Sequence, residues 1–228
     1  MNKRGKFIVI EGGEGSGKTS VIDFLKDNFI DKNNFVFTRE PGGTIIGEKI
    51  RNLLMNKGNK NILPITDLFL FCGARAQHVS ELIIPSLKSG KHVVSDRFDA
   101  STIAYQLFGR NKMELLNSFL TLNNIAKEEI EPDAVIWLDV SPEIGLERKK
   151  KSQEGKTTRF DEEELEFHLR VREGFAACFR KNDVNLPFNT TWYKIDTDIT
   201  SLDDTKKKVL DIVATATKTG DYFPERKV

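Results

Sequence analysis

The stretch whose reading decides the fold is "KFIVIEGGEGSGKTS", residues 6–20. It begins as a short, apolar, β-branched run, the pattern of a buried strand. A glycine-rich turn follows. Val21, Phe24, Leu25 and Phe29 then recur at helical spacing. Gly12, Gly17, Lys18 and Thr19 fit G-x-x-x-x-G-K-[ST] between a strand and a helix, as a phosphate-binding loop requires. Backbone N–H groups of Gly12, Gly13, Glu14, Gly15, Ser16 and Gly17 would cradle the phosphates of a nucleoside triphosphate. Lys18 would reach the β- and γ-phosphates, and Thr19 would hold Mg²⁺. The acidic Glu14 inside an anion-binding loop is unexpected.

Outward from this loop, "NFVFTRE" (34–40), "KHVVSDR" (91–97), "AVIWLDV" (134–140) and "TWYKIDT" (191–197) are further strand candidates. Helical patterns cover Thr66–Lys88, Lys112–Glu129, Asp161–Lys181 and Ser201–Lys218. The last opens with Ser201 and Asp204 at capping-box spacing. Alternating strands and helices imply an α/β fold with a parallel sheet covered on both faces. Ligands then bind beyond the carboxyl ends of the strands. Polar residues at three strand ends, from Glu11, at Thr38–Glu40 and at Ser95–Arg97, converge there.

The chain has 228 residues, 39% apolar and 30% charged, with a net charge of +1. That length suits a single domain, 1–228, with a core large enough to need no disulfide or structural metal. The near-neutral balance draws the protein to neither nucleic acid nor membrane. No apolar run reaches membrane-spanning length and no secretory signal is visible. Two cysteines, Cys72 and Cys178, suit a reducing cytoplasm.

Other segments carry candidate chemistry. Arg39 precedes a Pro-Gly-Gly turn and can bind a phosphate bidentately, or be a surface arginine before a tight turn. Asp96 can face the Mg²⁺ shell or orient an arginine, and Arg97 is a second phosphate ligand. Phe71 and Arg75 share a helix face and could stack on a base and bond its edge. Spacing alone favours a core phenylalanine beside a snorkelling arginine. "GLERKKKSQEGKTTRFDEE" (145–163) is strongly basic and reads as a mobile loop after a helix turn, closing over a triphosphate, or as a solvated helix end. No guanine-reading N-K-x-D occurs, which favours a transferase acting on a small acceptor over a GTPase switch.

Together "EGGEGSGKTS", "TREPGGT", "ARAQ", "DRFDASTIAYQ", "WLDVSPEIGLER" and "RFDEEELEFHLRVREGF" resemble the thymidylate kinases, most closely the bacterial type. The resemblance implies γ-phosphoryl transfer from ATP to dTMP with Mg²⁺, a P-loop NTPase fold with strand order 2-3-1-4-5, and a homodimer. It implies a small mobile lid at about 147–160. By matching positions, Arg39 and Arg97 hold the dTMP phosphate, Phe71 stacks on thymine, and Arg75, Thr102 and Gln106 contact the base. Tyr105 crowds the sugar, and Glu14 approaches the sugar 3′-hydroxyl and the Mg²⁺ shell. Some members carry an arginine after that acid. Gly15 stands here instead, so the lid is expected to supply the catalytic charge, with Arg148 and Arg159 as candidates and Arg148 also placed to stack on adenine. The tail "GDYFPERKV" (220–228) has no counterpart in this resemblance.

Overall fold

A computed structural model describes residues 4–28, 32–59, 61–152, 158–180 and 190–218. Five strands form one parallel sheet: β1 (Phe7–Gly12), β2 (Phe35–Arg39), β3 (His92–Asp96), β4 (Ala134–Asp139) and β5 (Thr191–Asp196). Their order is β2-β3-β1-β4-β5, and each neighbouring pair runs parallel. β1 and β4 are buried at every position, which is why they read as continuous apolar runs.

Strand alternation divides the core between two faces. Ile8, Ile10, Val94, Ile136 and Leu138 pack with Val21, Ile22 and Leu25 of α1 (Lys18–Asn28) and Val209 and Val213 of the C-terminal helix (Leu202–Thr217). Phe7, Val9, Val93 and Val135 pack on the opposite face with Val79, Ile83, Leu87 and Phe98. A third cluster, including Tyr105, Trp137, Phe160, Phe167 and Phe175, fills the helical layer beneath the site.

Two helices lie where the sequence reading named none or expected a loop. α2 (Ile45–Met55) starts after Thr44, whose hydroxyl accepts from the Gly47 N–H at 3.0 Å. The basic run is helical as far as Ser152, within a helix at Pro142–Ser152, so the expected helix turn extends into the segment assigned to the lid from about residue 147. Pro142 starts that helix, Glu143 occupies its first turn and Lys149–Lys151 its last. Those charges complement the helix dipole and offset the dense lysine repulsion. Residues 153–157 of the expected lid, with Lys156, and the tail 220–228 lie outside the described residues.

The expected helix at 66–88 begins at Pro64. It runs as α3 (Pro64–His78), a wider turn at Val79–Ile83 and α4 (Ile84–Lys88). Pro85 supplies no N–H to the ladder, and the Ile84 N–H reaches five residues back to the Val79 carbonyl. After β3 a helical turn, α5 (Asp99–Thr102), also widens, over Ile103–Gly109, the segment carrying Tyr105 and Gln106. The remaining helices are α6 (Leu116–Ala126), α7 (Pro142–Ser152), α8 (Leu165–Arg180) and α9 (Leu202–Thr217). Ser201 caps α9 by accepting from the Asp204 N–H at 3.1 Å.

The chain leaves β1 for β2 on one side and leaves the adjacent β3 for β4 on the other. Connections diverging from neighbouring strands open a crevice at their carboxyl ends. There the strand ends are stitched together: the Arg97 N–H donates to the Ile10 carbonyl at 3.0 Å and the Glu40 N–H to the Asp96 carbonyl at 2.9 Å.

Candidate active site

The crevice is a cavity of about 1580 Å³. At its centre the glycine-rich loop turns from β1 into α1, with Gly15 and Gly17 at φ 67° and 90°. The Ser16 hydroxyl donates to the Gly13 carbonyl at 2.9 Å. The Lys18 ammonium folds over the loop, donating to the carbonyls of Gly12 (2.8 Å) and Gly13 (2.9 Å). Burial, reinforced by the Arg97 charge, pushes Lys18 down to about 8. An anionic ligand would reverse that pressure.

Arg97 stands just past the end of β3 with a left-handed backbone, φ 71°. A non-glycine residue held there is strained, and such strain concentrates at functional positions. Its Nη1 donates to the Gly12 carbonyl and the Ser101 hydroxyl, both at 3.0 Å. Its Nη2 donates to the Tyr105 hydroxyl at 3.0 Å and, more loosely, to Glu14 Oε1 at 3.4 Å. Tyr105 also donates to Glu14 Oε1 at 3.0 Å. Glu14 Oε2 accepts from Lys149 Nζ at 2.9 Å. Burial alone would raise the Glu14 pKa, but Arg97, Lys149 and Lys18 hold this carboxyl below the usual range. The acid in the loop is therefore the hub of a cationic ring.

Glu11, the buried residue before Gly12, accepts from the N–H groups of Phe98 (2.9 Å) and Ser101 (3.2 Å) and from the Ser101 hydroxyl (2.6 Å). Burial outweighs these donors and the Arg97 charge, raising its pKa to about 7. Asp96 lines the same cavity as Thr19, its charge acts on Lys18, and its buried Oδ1 has no hydrogen-bond partner among the described residues. A buried, unpaired carboxylate oxygen facing a phosphate loop fits a Mg²⁺ shell.

Beyond Arg97 lies a second cationic end. Arg39 donates to Glu48 Oε2 at 2.9 Å, while Glu48 Oε1 accepts the Gly43 N–H at 3.0 Å. Arg51, on α2, lines the same wall and donates to the Pro41 carbonyl at 2.9 Å. The sequence reading did not name Arg51. Its signal was the three-residue spacing from Glu48, which becomes visible only once α2 is known to be a helix.

Arg75 does not snorkel: it is 1% exposed. Three bonds of 2.9 Å fan out from its guanidinium to Glu40 Oε2, Asn123 Oδ1 and Thr102 Oγ1. Its planar group lies 5.1 Å from the centre of the Phe98 ring. Glu40 is oriented in turn by His78 Nδ1 at 3.0 Å. Phe71, Arg75, Thr102 and Gln106 all line the cavity, and the Gln106 amide nitrogen is buried with no hydrogen-bond partner among the described residues. The cavity therefore has two cationic ends, with the polar side chains of Arg75, Thr102 and Gln106 and the Phe71 ring next to the second.

The sequence model of the thymidylate kinase family matches residues 10–195. The chain belongs to the thymidylate kinase family. A thymidylate kinase of Carboxydothermus hydrogenoformans is 47% identical over 179 residues, covering 78% of this chain and 85% of that relative. One from Protochlamydia amoebophila is 44% identical over 201 residues, 85% of each chain. The solved thymidylate kinase of Ehrlichia chaffeensis superimposes with a TM-score of 0.69 at 30% identity, covering 92% of this chain and 98% of that one. Membership makes the protein a phosphotransferase of the P-loop NTPase fold, and the sheet order matches the expectation.

Against the family's pattern, the basic run holds the surprises. Arg148 lines the cavity and donates to the Thr197 carbonyl at 2.8 Å, beside the loop Asp198–Leu202. Arg159 is elsewhere. It is 6% exposed, outside the cavity wall, and bonded at 2.5 Å to both Asp67 Oδ1 and the Leu54 carbonyl. The basic residue that meets the phosphate loop is Lys149, which the sequence reading counted only as part of the run. A backbone contact delivers it. A Cβ on Gly15 would stand 1.9 Å from the Gly145 carbonyl oxygen, and one on Gly145 2.2 Å from that of Glu14. Two glycines thus let α7 press on the loop, and Lys149, four residues after Gly145, shares the pressed face.

Proposed function

We propose that the chain transfers the γ-phosphoryl of ATP to dTMP, giving dTDP and ADP. The observation that carries this reading is the pairing of two cationic ends in one cavity, with an aromatic ring and polar side chains beside the second. A hydrolase or switch needs only the first end.

In this reading the loop Gly12–Thr19 holds the ATP phosphates, and Lys18 leaves its loop carbonyls for the β- and γ-phosphates. Arg148 and the loop after β5 flank the adenine. Thr19 and Asp96 would hold Mg²⁺, a role supported by the unpaired Asp96 oxygen. Bound there, the ion would neutralise charge on the transferring phosphoryl. Arg39, Arg51 and Arg97 grip the dTMP phosphate. Phe71 stacks on thymine, and Arg75 and the unpaired Gln106 amide donate to its carbonyls, with Thr102 fixing Arg75. Tyr105, pinned by Arg97 and Glu14, occupies space a 2′-hydroxyl would need.

The acceptor is already a phosphate anion at neutral pH, so positioning and charge neutralisation supply the catalysis without a strong base. Arg159 serves as the buried anchor of the lid's far side, through Asp67. The exposed apolar Ile65 and Phe69 on α3 support a homodimer, and two buried thiols support a cytoplasmic setting. Among the described residues no helix is long and apolar enough to cross a membrane.

Comparing dTMP, dUMP, the ribose analogue of dTMP and thymidine as acceptors, by ADP release, tests the reading. We expect dTMP to be preferred and thymidine to be inert. A preference for thymidine would leave three arginines without a ligand and defeat the assignment.

A further inference from the structure

We propose that the small cavity behind the phosphate loop binds one water molecule, and that His168 holds this water as a positioning residue for the loop segment Gly13–Glu14. The site lies outside the nucleotide crevice and does not depend on which acceptor the enzyme uses.

Three observations lead to it. First, the loop is a wall between two cavities. Glu14 lines both, whereas Gly13 lines only the smaller one, together with Trp137, Asp139, His168 and Arg172. Second, this smaller cavity is open on the Gly13 side. A Cβ on Gly13 would meet nothing nearer than Val140 Cγ1 at 3.9 Å. The cavity measures about 20 Å³, and one water needs roughly 10–15 Å³ of such space. Third, His168 on α8 is 4% exposed, and its Nε2 is buried with no hydrogen-bond partner among the described residues. A buried polar atom of this kind calls for a ligand.

The chemistry of that nitrogen selects the ligand. Burial lowers the His168 pKa, which keeps the ring neutral. A hydrogen bond with the Glu163 backbone favours the protonated ring, so the partner is the Glu163 carbonyl and the donor is Nδ1–H. Nε2 is then a bare acceptor, and a water donates to it. The polar atoms of Gly13, Glu14, Asp139 and Arg172 on the other walls supply the rest of the roughly three bonds a buried water makes. Glu14 and Asp139 disfavour an anion, and no cluster of three metal-ligating side chains exists among the described residues. An apolar occupant would leave Nε2 unpaired. Bound there, the water ties α8 to the face of the loop turned away from the nucleotide. The Gly13 carbonyl of the same segment accepts from Lys18 and from the Ser16 hydroxyl, so a shift of the segment is felt by the groups that hold phosphate.

High-resolution crystal structures of the parent, His168→Leu, His168→Gln and Gly13→Ala test the site. The parent should show an ordered water within about 3.2 Å of Nε2. His168→Gln should keep it, because the amide brings an acceptor to the place of Nε2. His168→Leu should lose it, and Gly13→Ala should displace it with a methyl group. The functional readout is the Kd for ADP, measured by calorimetry without acceptor. His168→Leu and Gly13→Ala should each weaken ADP about three- to tenfold, with His168→Gln within about twofold of the parent. The double variant Gly13→Ala/His168→Leu should stay within about twofold of the weaker single variant, because both changes remove the same water. A merely structural histidine would give losses that multiply. A parent map with no water at Nε2, or with a protein donor bonded to it, overturns the site. ADP bound by His168→Leu and Gly13→Ala as tightly as by the parent, to within about twofold, overturns the positioning role. So does a His168→Gln variant that keeps the water yet binds ADP as weakly as His168→Leu. Should His168→Leu fail to fold, Gly13→Ala and His168→Gln carry the same comparison. None of these measurements uses turnover, so an enzyme inert towards dTMP would defeat the kinase reading and leave the water site standing.

Discussion

Replacing Glu11 with glutamine probes how the strand end supports the site. Glu11 is fully buried, and its pKa rises from 4.5 to about 7 because burial disfavours its charge. Between those values the folded protein holds the proton more tightly than the unfolded chain. The stability this contributes is present below pH 4.5 and is lost as pH rises through about 7. At about 1.4 kcal/mol per pH unit, the loss amounts to about 3 kcal/mol. A glutamine mimics the protonated acid: its oxygen accepts the Phe98 and Ser101 N–H groups and its NH₂ donates to the Ser101 hydroxyl. The variant should therefore gain on the parent by most of that amount between about pH 5 and about pH 8. Urea unfolding of both proteins across this range measures it, with equal m-values as the check on comparability. Lys18, pushed to about 8, adds stability only as pH rises from about 8 toward its ordinary value. That term begins only at the upper edge of the range, so it adds little to the difference measured between about pH 5 and about pH 8. A stability difference flat to within about 0.5 kcal/mol from pH 5 to 8 would refute the reasoning and mean that Glu11 is ionised in the fold.

Other substitutions separate structural from chemical roles. Lys18→Met should abolish turnover while leaving the melting temperature unchanged or higher, because it removes a buried ammonium; near-normal turnover would remove Lys18 from the mechanism. Arg159→Met should cost about 3–5 kcal/mol in urea unfolding by stranding the buried Asp67, with kcat of the folded enzyme within about tenfold of the parent. An unchanged stability with kcat reduced about 1,000-fold would instead return Arg159 to the reaction centre. Arg75→Met should cost a similar amount by stranding Glu40, and should raise KM for dTMP far more than KM for ATP.

Much of the fold was legible because its signals are local. A buried strand, a glycine turn and an apolar helix face follow one another within residues 6–29, and that succession sets the loop at a strand end. The strand order came from resemblance, since nothing local states which strand neighbours which. The helix carrying the basic run was missed because its lysines mask the periodicity that Pro142 and the charge gradient restore. Spacing alone favours a snorkelling Arg75, and only the resemblance places it at a base, because its partners, Glu40, Thr102 and Asn123, arrive from three distant segments. Arg159 was misleading for the same reason, its partner being 92 residues away. Lys149 depends on two glycine backbones meeting across the site, a contact between loop and helix that no spacing within either segment records. Glu14, odd in a loop that binds anions, becomes intelligible once Arg97, Tyr105 and Lys149 are seen around it.

The central claim is that two phosphate ends share one cavity, so that ATP is consumed only when an acceptor fills the second. The direct measurement is the simultaneous quantification of ADP and dTDP from ATP and Mg²⁺, with and without dTMP. The account predicts equal amounts of the two products with dTMP and almost no ADP without it. ADP formed at a similar rate in both samples, with phosphate released and no dTDP, would contradict it.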